Sequence, residues 1–139
     1  QVTEVPQKFA GLPLGARAVE IADGATTNYF LNTFGRSPRE TVCACDVSLE
    51  PSLSQALHLL NGDVVHRKIS SGGLIPRWIE EGLSPSKIIE RIYVRSLSRA
   101  PDPEELETLL AGLGEEPDVA ALEDVFWAVL NSREFLFQH

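Results

Sequence analysis

From Ser84 to the end of the chain, each helix-capping residue is followed at once by apolar residues at helical spacing. That pattern admits little but an α-helical fold. Ser84-Pro85 pairs an N-cap with a proline at the first helical position. Ile88, Ile89, Ile92, Tyr93 and Leu97 then form one apolar stripe. Asp102-Pro103-Glu104-Glu105 repeats the start, with Glu105 placed as the last residue of a capping box. Leu106, Leu109, Leu110 and Leu113 follow at core spacing. Asp118 caps a third helix, buried through Leu122, Val125, Phe126 and Val129, and Ser132 starts a terminal turn carrying Phe135 and Phe137.

Upstream the signals are shorter. Tyr29, Phe30, Leu31 and Phe34 form a helical cluster that stops at Gly35. Ser52 caps a helix with Leu53, Ala56, Leu57 and Leu60 on one face, broken by Asn61-Gly62. Asp63 starts another through Ile69, Gly72-Gly73 reads as a hinge, and Leu74 to Glu81 reads as a short helix with Trp78 inside. Before all this, Pro6, Gly11, Pro13, Gly15 and Gly24 break any helical period, and Ala16 to Ile21 has the alternation of one short strand. The expected architecture is all-α: a compact bundle of short and medium helices with an extended N-terminal arm and at most one short β element. The arm spans 1–25 and the helical domain 26–139.

Composition narrows the function. With 139 residues, 43% hydrophobic, the chain can bury a core within one domain. Its formal net charge of −8 argues against nucleic acid, whose phosphates need an excess of Lys and Arg. It argues equally against anionic membrane surfaces. No apolar run approaches the roughly 18 residues of a membrane span, so no insertion by this chain is expected. The sequence starts at Gln1 and holds no Met, as expected of a piece of a longer protein.

One segment is chemically unusual. Arg39-Glu40-Thr41-Val42-Cys43-Ala44-Cys45-Asp46 puts two thiols between acids, with an arginine beside them. If it is extended, Cys43 and Cys45 share a side. Thiolates bind soft metals and carry redox chemistry, with His58 and His66 as further candidate ligands. The plainer reading is that both cysteines pack as small hydrophobes, because C-x-C lacks the wider spacing of zinc sites. Arg39, Glu40 and Asp46 form a candidate polar site in the same stretch. There is no C-x-x-C-H for haem attachment, no glycine-rich phosphate loop and no G-x-S-x-G. No catalytic residue or cofactor-binding residue is assigned. Glu80-Glu81, Glu104-Glu105 and Glu115-Glu116 read as solvated or dipole-stabilising pairs at helix ends. Trp78 and Trp127 read as core volume.

Three stretches together carry a resemblance: Thr33–Asp46 (TFGRSPRETVCACD), Ser52–Asp63 (SLSQALHLLNGD) and Ala121–His139 (ALEDVFWAVLNSREFLFQH). Ile88–Glu107 (IIERIYVRSLSRAPDPEELE) fits with them. From about Gly11 onward the chain resembles the C-terminal region of the planctomycete family known as domain of unknown function fifteen fifty-three. The family often has Pro where Ser37 stands and Glu where Asp46 stands. The resemblance implies a large exported or periplasmic protein with a cytochrome-c-like domain, and hence haem c, elsewhere in the parent. It implies no enzyme activity on numbered residues. The expected role is therefore a helical accessory or interaction domain whose partners are other domains of its own chain. The alternative is a metal or thiol-redox site at Cys43 and Cys45 serving an enzyme in the full-length protein.

Overall fold

The computed structural model describes residues 2–21, 28, 31, 33, 34, 55, 63–114 and 116–137. They belong to two compact units: Gln1–Val5 together with Gly62–His139, and Pro6–Asn61. The described residues are helical and contain no strand, as expected of an all-α chain. Among them, no helix is long and apolar enough to cross a membrane.

The larger unit contains α1 (Asp63–Gly72), α2 (Leu74–Glu80), α3 (Pro85–Leu97), α4 (Pro103–Leu113), α5 (Val119–Leu130) and α6 (Arg133–Leu136). Local chemistry sets most of these boundaries. Gly73 turns the chain from α1 into α2 at φ 58°, a left-handed conformation that costs glycine little. Ser84 caps α3 by accepting from the Lys87 N–H, with Pro85 first in the helix. Asp102 accepts from the Glu105 N–H at 2.8 Å while Glu105 accepts from the Asp102 N–H at 2.9 Å, a complete capping box on α4. Asp118 caps α5 through the Ala121 N–H at 2.8 Å, and Ser132 caps α6 through the Phe135 N–H at 3.2 Å.

α5 lies at the centre and packs against each of the other five helices. Its Leu122, Val125, Phe126, Val129 and Leu130 meet Ile69 of α1, Leu74, Ile75 and Trp78 of α2, and Ile88, Ile89, Ile92 and Tyr93 of α3 in one buried cluster. The apolar stripes read on α3 and α5 thus close on one another, while the face of Leu53, Ala56, Leu57 and Leu60 lies outside the described residues. The leucines of α4 stop at the edge: Leu106, Leu109, Leu110 and Leu113 pack against the cluster but are only partly buried. The terminal segment divides in the same way. Of the aromatics read onto the terminal turn, Phe135 packs against the cluster, while Phe137, with Leu136, remains exposed. A single turn with neighbours on one side only turns part of its circumference inward, and Phe135 takes that side.

In the second unit, Phe9 and Ala16 are buried and tight backbone bonds organise the turn, with Gly15 N–H donating to Gln7 at 3.0 Å. The strand considered for Ala16–Ile21 is a 3-10 turn at Ala18–Glu20. The Glu20 carboxylate reaches back to accept from the Arg17 N–H at 2.6 Å, which winds the chain locally and leaves Val19 82% exposed. Alternation alone cannot hold a strand without a partner, and the described residues offer none. Further along, Leu31 and Thr33 are helical, and the Asn28 side chain accepts from the Leu31 N–H at 3.2 Å. Gln55 is helical too, and its side chain donates to the Thr33 carbonyl at 2.9 Å.

Candidate functional site

Of the residues singled out for chemistry, Arg39, Glu40, Cys43, Cys45, Asp46 and His58 lie outside the described residues. His66 stands exposed on α1. Among the described residues, no cluster of three or more His, Cys, Asp or Glu side chains is placed to hold a metal ion.

The larger unit concentrates its charge at two arginine junctions. At the first, Arg99 follows α3 and forks between two helices. Its Nη1 and Nη2 donate to Glu105 of α4 at 2.8 and 2.9 Å, while Nε and Nη2 donate to Glu134 of α6, both at 2.6 Å. The planar guanidinium suits this double grip, since its donors form a rigid fork. Its carbon also sits 5.4 Å from the centre of the Tyr93 ring. The Arg99 bonds, helped by the Asp102 N–H, bring the Glu105 carboxyl down to about 2. Arg99 lowers Glu134 as well, and the two carboxylates hold the guanidinium more firmly protonated. Burial, reinforced by Glu105, pushes the Tyr93 phenol up.

At the second junction the N-terminal segment meets α2 and α3. The two oxygens of Glu4 are taken by two helices: Oε2 accepts from Arg77 of α2 at 2.8 Å and Oε1 from Arg95 of α3 at 2.6 Å. These bonds, Arg77 first, lower the Glu4 carboxyl. Arg95 Nε also donates to the Val2 carbonyl. One turn earlier on α3, Arg91 pairs with Glu81 at 2.9 Å and lies 5.7 Å from the Trp78 ring centre. Arg77, Arg91 and Arg95 thus form a basic seam on a chain whose net charge is −8.

A third polar contact is part-buried. Ser70 of α1 donates to the Glu123 carboxylate of α5 at 2.7 Å, and Glu123 is among the few buried polar residues. This bond ties α1 to α5. Burial without such a partner would be costly for the carboxylate.

Sequence reasoning placed Glu81 and Glu105 at helix ends as solvated or dipole-stabilising groups. In the structure each also holds an arginine, Arg91 and Arg99 respectively. It missed Arg99, Glu4 and Glu123 altogether. Glu134 lies 35 residues from Arg99 and Arg77 lies 73 from Glu4, separations at which no local spacing rule operates. The signal available for Glu123 was its place beside Leu122 on the most apolar helix.

Compared with known proteins, the chain matches no family model, no curated protein and no solved structure.

Proposed function

We propose that this chain is a helical accessory and interaction module of a larger exported protein, similar to the C-terminal region of the planctomycete family of domain of unknown function fifteen fifty-three. Its partners are other domains of the parent chain, and any c-type haem belongs to those domains. The observation that carries this reading is how the described charges are arranged. Arg99 joins α3, α4 and α6, Glu4 joins the N-terminal segment to α2 and α3, and Glu123 joins α1 to α5. Each polar cluster has its charges directed at a neighbouring element of the same fold, which is how a scaffold is stiffened for presentation to partners. The family resemblance supplies the parent architecture and the exported location.

A second reading keeps the two thiols as its basis. Cys43 and Cys45 form a metal or redox site for an enzyme in the full-length protein, with His66, exposed on α1, and His58 as candidate ligands. Elemental analysis and thiol titration of the purified chain separate the two. The module reading expects two titratable, slowly reacting thiols and no stoichiometric metal. One equivalent of zinc, iron or copper per chain would overturn it in favour of the second.

A further inference from the structure

The N-terminal contact has the chemistry of a bound peptide. Val2–Val5 is gripped by three helices through its backbone, a carboxylate and apolar side chains. The Val2 carbonyl is read by Arg95 Nε, and the Glu4 carboxylate is held by Arg95 and Arg77, one oxygen each. Val2 packs against the hydrophobic cluster. The Thr3 carbonyl lies so close to Gly72 that any Cβ there would collide with it, and the Val5 side chain would lie 3.5 Å from that Cβ. Gly72 therefore keeps the end of α1 open to a neighbouring backbone. Glu4 adopts φ 58°, rare for a residue with a side chain, and the two arginines fix it there.

These features separate a recognition surface from an ordinary packing contact. One arginine reads main chain and side chain together, two helices divide a single carboxylate, and a glycine admits the peptide backbone. Glu4 stays 43% exposed. Exposed ion pairs hold weakly one by one, so such a segment stays in place chiefly because it is tethered. We infer that the face made by the end of α1, α2 and α3 is a receptor for a short, turned acidic peptide of apolar-x-acidic-apolar pattern, and that Val2–Val5 is the chain's own exchangeable ligand for it. This deepens the module reading, on which it rests for the idea that the unit binds polypeptide. It names the chemistry of the partner: a turned segment presenting one carboxylate to Arg77 and Arg95 between two small apolar side chains. Such a partner gains access when the internal segment is displaced.

The test uses the full chain and a fluorescein-labelled peptide copying residues 1–7, read by fluorescence polarisation. Glu4→Lys places a cation against Arg77 and Arg95 and empties the face. The labelled peptide should bind this variant at least about tenfold more tightly than wild type, the factor by which a tether readily outcompetes a free ligand. Adding Arg95→Glu to Glu4→Lys should abolish that binding, as should replacing the peptide's glutamate with lysine. Equal binding to wild type and Glu4→Lys, or no measurable binding to a Glu4→Lys chain with wild-type circular dichroism, overturns the inference. If Glu4→Lys fails to fold, Glu4→Gln replaces it under the same criteria. A chain that binds no peptide yet shows two free thiols and no metal ends this inference and leaves the module reading standing.

Discussion

α4 and α5 begin alike and end up in different places. They run 11 and 12 residues, each follows an aspartate cap, and each cap accepts its backbone bond at 2.8 Å. Yet α5 buries Leu122, Glu123, Val125, Phe126, Val129 and Leu130, while α4 buries no residue fully. The cap and the apolar period determine that a helix forms. How much of it is buried depends on how many neighbours surround it, and α5 has a helix on every side that matters. α4 is correspondingly held more by its rim. Its leucines touch the cluster from outside, and Glu105 at its first turn is clamped by Arg99. A chain can thus carry equal local signals for two helices and still distribute its stability unequally between them.

The largest effect should come from the centre. Phe126 has no exposed surface, so Phe126→Ala should cost about 3–5 kcal/mol through lost burial and the cavity left behind. Urea denaturation at neutral pH measures it directly. That is a large share of the stability of a domain this size, and a variant already partly unfolded without urea would agree with it. A loss under about 1 kcal/mol would mean that α5 is not the centre of the fold.

The matched change on α4 should be milder. Leu110 is only half-buried, so Leu110→Ala should cost about 1–2 kcal/mol, below the range for a fully enclosed leucine. Should Leu110→Ala prove as damaging as Phe126→Ala, the contrast between the helices fails, and the rim carries more of the core than its exposure implies.

The smallest effect isolates the clamp. Glu105→Gln keeps an oxygen for the Asp102 N–H but removes the charge opposite Arg99. It should cost about 1 kcal/mol at pH 7, as expected of a partly exposed pair. The sign follows from the lowered carboxyl. Glu105 titrates at about 2 in the fold against an ordinary 4.5, so the folded state favours its charged form. Its contribution is complete above about pH 4.5 and is lost as pH falls towards 2. The difference in urea midpoint between Glu105→Gln and wild type should therefore shrink between pH 5 and about 2. A difference that stays constant across that range would show that the charge does nothing for α4.

Much of the helical map was legible because its causes are local. Ser84, Asp102, Asp118 and Ser132 each bond a backbone N–H three residues ahead, and three-residue spacing is visible in the sequence. Ile88, Ile89, Ile92 and Tyr93, and Leu122, Val125, Phe126 and Val129, are buried as their period requires. The Gly72-Gly73 pair was legible as a break, though its two members do different things. Gly73 supplies the left-handed turn, and Gly72 makes room for the Thr3 carbonyl. Only the second needed the fold to be seen.

The sequence by itself therefore determined that the chain is helical, where most of its described helices start, and which face of α3 and α5 turns inward. Caps and apolar periods act within one or two turns and need nothing distant. The tertiary structure decided the rest: that α5 and not α4 is enclosed, that Phe135 packs while Phe137 does not, and that Arg99, Arg77 and Arg95 meet Glu105, Glu134 and Glu4. Those outcomes depend on side chains far apart in the chain arriving at one place. The free energy that brings them there comes from burying the shared core, which no single segment can do alone.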